Sequence, residues 1–480
     1  MSKEKQATYA YVWGYNNTGE LGVNHAARVY SPRPARLPAG IVDLQGGANF
    51  SVALTESGRV LTWGSNEHGQ LGDGSRRPRR TPQQVRLPDG HRAAAIAAGT
   101  DHVVVVTTRG HLITWGRNHR GQLGTGDRDD RLSPKVVRAE TVRKVAAGDG
   151  ISAAITPGGR LLTWGRNGQG QLAQKGSVPV GRDVLKPIHA RQVSEPVSAV
   201  DAGLRHLVVL TSDGDVLMFG VDVAGLPLGK KMALPARWGQ VRTIVAGEDH
   251  TLALTRRGVI LGWGANDLGQ LATGDSAHQL SPVVVKLSGV RGQVTQIRAG
   301  HRHGLALTDK HEVYAWGDGS FGAIGTGGQK PDGQKPEATS VLTPQRVSLP
   351  GVVATGLGGG GYGSVVFVRR GPGVRLELDP PTATSQPGRS VRYTIRTVDA
   401  FGTDLGPAPA GVAVVVRGGT ASHTSPRATT VTAPEVGTYS VVARAGHLIG
   451  RATLSLSKAP QPSKGPSLSK GPQLSKGPQR

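Results

Sequence analysis

Apolar residues along this chain fall in short runs closed off by glycine, and no stretch keeps a helical period. A representative segment is Ala246-Gly-Glu-Asp-His250-Thr-Leu-Ala-Leu-Thr255, a small-residue turn followed by a buried-type β run. A Gly-centred turn then leads into Arg257-Gly258-Val-Ile-Leu-Gly-Trp263, a strand that ends on tryptophan. After an Asn- and Gly-rich loop comes Ser281-Pro-Val-Val-Val-Lys-Leu287, β-branched with a leading proline, as an edge strand tolerates. Val294-Thr-Gln-Ile-Arg-Ala299 returns the chain to the next Ala-Gly turn. The pattern predicts four short strands per period and no helix.

The period repeats along most of the chain. Trp13-Gly-Tyr-Asn16-Asn-Thr-Gly19-Glu-Leu21-Gly22 returns at Trp63, Trp115, Trp164 and Trp263 with Asn, Gly and Leu at the same offsets. Two copies are degraded, Phe219-Gly-Val-Asp222-Val-Ala-Gly225 and Trp316-Gly-Asp-Gly-Ser-Phe-Gly322. The seven anchors are separated by 50, 52, 49, 55, 44 and 53 residues. Four strands per period and seven periods predict an all-β chain whose main body is a seven-bladed β-propeller. The first copy starts directly at its Trp strand, Ala7 to Trp13. The two strands it lacks are supplied after the last anchor, by residues 351–357 and 364–368. One blade is therefore expected to be stitched from N- and C-terminal strands, which closes the ring and hides two sheet edges.

The Trp-Gly-x-Asn-x-x-Gly-Gln-Leu-Gly loop, with Ala-Gly-x-x-His ahead of it, resembles the repeat of the regulator-of-chromosome-condensation family over roughly residues 7–370. The resemblance implies a propeller. It leaves function open, because the family includes a nucleotide-exchange factor for a small GTPase that also binds chromatin, ubiquitin-ligase domains, bacterial effectors and a secreted β-lactamase inhibitor. The exchange factor uses a blade insertion as a wedge; the loops at 173–190 and 326–343 are longer than the others here, and no residue of the wedge is carried over.

Beyond about Val374 the pattern changes to alternating strands without tryptophan, at 374–379, 390–398, 411–417, 438–443 and 451–456. This predicts a small β-sandwich over 371–456. Val398-Asp-Ala-Phe-Gly-Thr-Asp404 and Gly437-Thr-Tyr-Ser-Val441 are similar to bacterial immunoglobulin-like modules. The last segment, 457–480, repeats Ser-Lys-Gly-Pro with five basic and no acidic residues, and is expected to be disordered.

Composition then narrows the chemistry. With no cysteine among 480 residues there is no disulfide, thiolate nucleophile or Cys-ligated metal. No apolar run is long enough to span a membrane as a helix, and no secretory signal is readable at the start, so a cytoplasmic monomer is expected. Lys plus Arg exceed Asp plus Glu by 57 to 33, a formal charge of +24, which favours nonspecific, salt-sensitive contact with nucleic acid or another polyanion. Part of the charge sits in Arg76-Arg77-Pro-Arg79-Arg80.

No catalytic, cofactor or metal motif survives inspection. Gly356-Leu-Gly358-Gly-Gly-Gly361 spells a dinucleotide loop but leads into a strand instead of a helix. Asp127, Asp129 and Asp130 lack the remaining ligands of a calcium loop. The repeated Trp, Asn and Gly are read as structural, the Asn and Gly taking positive φ, and His102, His206, His250 and His303 as turn residues spread around the ring. What remains is the face carrying the Ala-Gly-x-x-His turns. Its expected partner-binding rim is Asn49, Asp101, Asp149, Arg205, Asp249, His301, Arg302 and Tyr362. The preferred reading is a non-enzymatic scaffold that presents this rim to a protein partner. The alternatives are a guanine-nucleotide exchange factor-like regulator and a DNA- or anionic-surface-associated module.

Overall fold

A computed structural model describes residues 8–23, 28–174, 178–327, 340–370, 375–398, 404–407, 412–425, 428–445 and 448–457. The basic tail from 458 on, residues 399–403 of the module-like stretch, and the central parts of the two long loops (175–177 and 328–339) lie outside the described residues. The chain divides into two compact units, 1–371 and 372–480.

The first unit is a β-propeller. Five of its sheets have four antiparallel strands, and each carries one anchor residue: Trp115, Trp164, Phe219, Trp263 or Trp316. Their second strands, such as His102–Thr107 and His250–Thr255, are buried at every residue. Such a strand is covered on both faces by neighbouring sheets, which is why it reads as an unbroken apolar run. The outermost strands, such as Arg79–Val85, are largely exposed.

The remaining eight strands form one continuous sheet with two anchors. Its Trp13 half has the order Arg28–Leu37, Thr8–Tyr15, Gly363–Arg370, Val352–Gly360. The N-terminal strand pairs antiparallel with the late one, Ala10 opposite Phe367 and Trp13 opposite Ser364. This half is joined to the Trp63 half through a short parallel pairing, Gly359 with Gln45 and Gly360 with Gly46.

Indole hydrogen bonds stitch the sheets together. Trp63 Nε1 donates to the Glu20 carbonyl at 2.7 Å, Trp115 to Gln70 at 2.9 Å and Trp164 to Gln122 at 2.8 Å. Trp316 donates to Gln270 at 2.9 Å, and Trp13 to Ala323 at 2.7 Å, which links the last sheet to the first. In each case the acceptor lies in the loop of the preceding sheet. The loop asparagines do not take positive φ as expected; the glycines do, and so do Ala173 and Ala272 where they replace the last glycine of the loop. Each asparagine works through its amide instead. Asn66 Oδ1 accepts the Leu71 N–H at 2.9 Å while Nδ2 donates to the Ser75 and Arg77 carbonyls, and Asn118 and Asn266 repeat the scheme.

The second unit has two sheets. One runs Arg375–Asp379, Val391–Val398, Ala428–Thr432, Thr420–Ser425, with Asp404–Pro407 also paired to Val391–Val398. The other runs Thr382–Ser385, Leu448–Leu456, Gly437–Ala445, Ala413–Val416. Leu376, Tyr393 and Ile395 of the first share one core with Val441, Leu454 and Leu456 of the second.

The indole bonds predict unequal costs for equal substitutions. Trp115→Phe leaves the buried Gln70 carbonyl without this donor, whereas Trp263 has no acceptor to lose among the described residues. Trp115→Phe should therefore cost about 1 kcal/mol more than Trp263→Phe in urea unfolding. Equal losses would show that the indole bonds contribute nothing net.

Candidate partner-binding mouth

The inner turns are built on one glycine each. Gly47, Gly99, Gly148, Gly203, Gly247 and Gly300 donate to the carbonyl three residues on, at 2.9–3.0 Å. The residue after the glycine sends its N–H across to the next sheet: Ala48 to Thr100, Thr100 to Gly148, Asp149 to Gly203, Leu204 to Glu248, Glu248 to His301 and His301 to Gly361, at 2.7–3.3 Å. A Cβ at Gly148 would stand 2.3 Å from the Gly203 carbonyl oxygen, and one at Gly203 2.5 Å from that of Gly247. Only glycine lets the turns approach closely enough to exchange these bonds.

The two variable turn positions make different main-chain bonds, and most second-position residues turn away from the mouth. The first, filled by Ala48, Thr100, Asp149, Leu204, Glu248 and His301, lines a chamber of about 400 Å³ at the channel mouth. The second gives its carbonyl to the residue just past the Trp-Gly pair: Asn49 to Ser65, Asp101 to Arg117, Arg205 to Val221, Asp249 to Ala265, Arg302 to Asp318 and Tyr362 to Tyr15. Of the eight expected rim residues, Asn49, Asp149, His301 and Tyr362 line the chamber. Asp101, Arg205, Asp249 and Arg302 do not, and they are held in ion pairs. Asp101 meets Arg117 at 3.3 Å, Arg205 meets Asp249 at 3.0 Å, and Arg302 meets Glu248 at 2.8 Å. Glu248, Thr100 and Leu204 directly follow the turn glycine, one residue ahead of the positions that the spacing to histidine marks.

An aromatic cluster stands beside the mouth where the two ends of the propeller meet. Tyr362 lies 4.5 Å from the His301 ring and 4.8 Å from that of Phe321, and Tyr15 meets Phe321 edge-on at 5.5 Å. The Arg28 guanidinium sits 5.3 Å over Phe321. Burial holds the His301 imidazole below its ordinary value and so favours its neutral form. Nothing in the spacing marks Tyr15 as a site residue; Phe321 is marked only by the degraded loop, which places an aromatic ring where other copies have Thr18, His68, Arg120, Gln169 or Leu268.

Below the mouth, Gln45, Asp201 and Arg298 separate the chamber from a second one of about 680 Å³. Asp201 accepts the N–H groups of Ala202 at 2.9 Å and Ala246 at 2.8 Å, which ties two neighbouring inner strands. Burial nevertheless pushes its carboxyl up to about 6. Arg298 reaches Asp43 at 3.3 Å.

The four repeat histidines lie behind the turns and do not converge. His102 Nε2 meets Ser152 Oγ at 2.8 Å, His206 meets Thr251 at 3.0 Å, and His303 meets Ser364 at 3.0 Å, in each case on the following sheet. His250 finds no partner among the described residues, because Gly304 stands where a hydroxyl would be. Burial depresses all four, to about 3 for His102 and His250 and about 4 for His206 and His303.

The basic loop is less free than its spelling suggests. Arg76 pairs with Asp130 at 3.5 Å, Arg79 with Asp73 at 2.8 Å, and Arg80 donates to the Asn17 carbonyl at 3.2 Å, while Arg77 is exposed. Asp127 binds Arg131 at 2.6 Å and braces its own loop through Asn118 and Thr125.

The model of the regulator of chromosome condensation (RCC1) repeat matches residues 9–54, 57–106, 109–155, 158–210 and 257–307. This chain belongs to the RCC1 repeat family. Among its RCC1 relatives, the ultraviolet-B receptor UVR8 of Arabidopsis thaliana is 35% identical over 335 residues, covering 66% of this chain and 74% of the receptor. The secretion-regulating guanine nucleotide exchange factor of Mus musculus is 32% identical, covering 69% of this chain and 64% of that protein. The human E3 ubiquitin-protein ligase HERC2 is 31% identical, but the match spans only 6% of its length. Of solved structures, yeast RCC1 (Prp20) in complex with Kap60 superposes with a TM-score of 0.65 at 22% identity, over 76% of this chain and 89% of that one, a likeness of fold.

The histidines make RCC1-fold stability acid-sensitive. Their folded values lie below the ordinary 6.5, so their contribution is complete above that pH and is lost as pH falls toward 4. Asp201, raised from 3.8 to about 6, acts oppositely in the same window and offsets one proton. The depressed histidines outnumber Asp201, so unfolding should take up protons on balance and stability should fall as the pH is lowered through this window. Urea midpoints measured between pH 6.5 and 4.5 check this.

Proposed function

We propose that this RCC1-family chain is a non-enzymatic interaction protein, a seven-bladed ring in which the eight-stranded sheet counts as two blades. The observation that carries this reading is the seam cluster of Tyr15, Phe321 and Tyr362, with His301 and Arg28, beside the mouth chamber. Aromatic and arginine side chains in a partly buried group are the composition of interface hot spots. The ion-paired residues Arg302 and Glu248 form a polar border to it. The second unit, with its two sheets on one core, is read as an immunoglobulin-like spacer over about 371–456.

A second reading is guanine-nucleotide exchange on a small GTPase. Its support is the mouse relative named as an exchange factor. The polyanion reading loses weight, because Arg76 and Arg79 are already paired with acids.

The test is photo-crosslinking from a benzophenone residue at position 321, in cells making the full chain, with and without Tyr362→Ala. The seam reading predicts one dominant protein adduct that falls by about tenfold in the Tyr362→Ala chain, the loss expected for a hot-spot aromatic. Unchanged adducts would remove the seam from the interface. Purified adduct partner, if a GTPase, would then be assayed for accelerated nucleotide release, and no acceleration would exclude exchange activity toward it.

A further inference from the structure

Five loops of the ring serve the sheet that follows in the same two ways. The residue after the loop's second glycine offers its carbonyl to the next indole N–H. The glycine itself lies against the next outer strand, Gly69 on Leu132, Gly121 on Leu185 and Gly269 on Leu342, with no room for a Cβ.

The Phe219 sheet has lost this loop. The Asp222 carboxylate accepts the N–H groups of Ala224 at 2.9 Å and Leu226 at 2.8 Å, and the strand Pro227–Lys231 begins at once. Gly225 is surrounded by open space. Across from it, Leu280, the counterpart of Leu132, Leu185 and Leu342, is 54% exposed. Trp263 is only 4% exposed, yet its Nε1 has no acceptor among the described residues. Met218 and Met232, the chain's two internal methionines, line the cleft between these sheets together with Trp263 and Leu280. Methionine is the side chain that best adapts to an irregular gap.

We propose that this cleft binds a peptide segment of a partner protein, one that supplies what the missing loop supplies elsewhere. Its main-chain carbonyl accepts the Trp263 N–H, and a leucine beside that carbonyl covers the exposed Leu280. The ionisable lining groups are His206, held neutral by burial, Asp222, and Asp249, which is paired with Arg205. Asp222 thus leaves the cleft with an acidic balance, which selects a basic or neutral segment over an acidic one. The site uses different sheets from the seam cluster and stands independently of it.

The chain's own intact loops supply the probes. A peptide copying residues 118–124 (Asn-His-Arg-Gly-Gln-Leu-Gly) is basic, and one copying 266–272 (Asn-Asp-Leu-Gly-Gln-Leu-Ala) is acidic. Each is titrated into the full-length protein while the indole N–H resonances are followed, that of Trp263 being assigned by its loss in Trp263→Phe. The basic peptide should move the Trp263 resonance selectively and bind more tightly than the acidic one. Leu280→Ser, an exposed substitution whose melting temperature should match the parent, should weaken it by about tenfold, the value of one buried leucine. A Trp263 resonance that stays put at millimolar peptide overturns the proposal, as does equal binding by the Leu280→Ser protein. A shift that instead follows protein concentration alone, with dimers in sedimentation, makes a second copy the occupant and also overturns it.

Discussion

The ring rests on backbones that approach so closely at the inner turns that a methyl group has no room between them. At Gly148 the obstacle is the Gly203 carbonyl oxygen, 2.3 Å from where a Cβ would be, and the same conflict recurs around the mouth. The approach matters because inner strands of neighbouring sheets do not pair along their length. Single main-chain bonds from Ala48, Thr100, Asp149, Leu204, Glu248 and His301, with Asp201 and Gln296 reaching across to Ala246 and Leu357, carry the connection instead. The extreme case is the seam. A Cβ at Gly361 would fall 1.9 Å from the Gly47 oxygen, and Gly359 and Gly360 pair in parallel with Gln45 and Gly46. The Gly356–Gly361 run, which spells a nucleotide-binding loop, is where two ends of a chain meet backbone to backbone.

The period, the anchors and the supply of two strands from beyond residue 350 were legible because few residues can replace the ones that carry them, and most copies keep them. Tryptophan supplies bulk and a donor, glycine supplies positive φ, and a buried strand must be apolar on both faces. The mouth was half legible. Which of two adjacent turn residues faces the chamber depends on a one-residue register, and the Trp164 copy obscures it by having Gly150 and Ile151 where others have a side chain and histidine. The seam cluster was legible only in part, through the turn spacing that marks His301 and Tyr362 and the degraded loop that marks Phe321. Tyr15, Phe321 and Tyr362 come from three segments that only ring closure brings together, and nothing local marks Tyr15 as different from the residues beside it.

The formal +24 charge acquires a different meaning once the arginines are placed. Arg76, Arg79, Arg117, Arg131, Arg166, Arg205, Arg298 and Arg302 each face a carboxylate. Exposed pairs of this kind contribute roughly 0–1 kcal/mol each. Their larger effect is to orient loop and turn side chains, several of them between neighbouring sheets. Arg205–Asp249 and Arg302–Glu248 bridge sheets on the same face where the turns exchange main-chain bonds, so charge and backbone tie the mouth together.

The Phe219 sheet shows how far one member of a ring can depart from the rest. Every anchor depends on a loop behind it, so a change in one sheet is felt on both sides. Phenylalanine at 219 has no N–H to satisfy and asks nothing of the Trp164 loop. In that loop Gln171 keeps a buried amide nitrogen without a partner among the described residues. On the other side, the shortened turn after Phe219 deprives Trp263, which does need an acceptor. An unsatisfied buried donor costs about 1–3 kcal/mol, a burden that the intact links at the other junctions allow the ring to bear. Loop loss and the Trp-to-Phe exchange relax one junction and strain the next. The strained junction is also where a leucine is left uncovered above both internal methionines, so an unmet hydrogen bond, an exposed apolar side chain and an adaptable buried lining occupy one place.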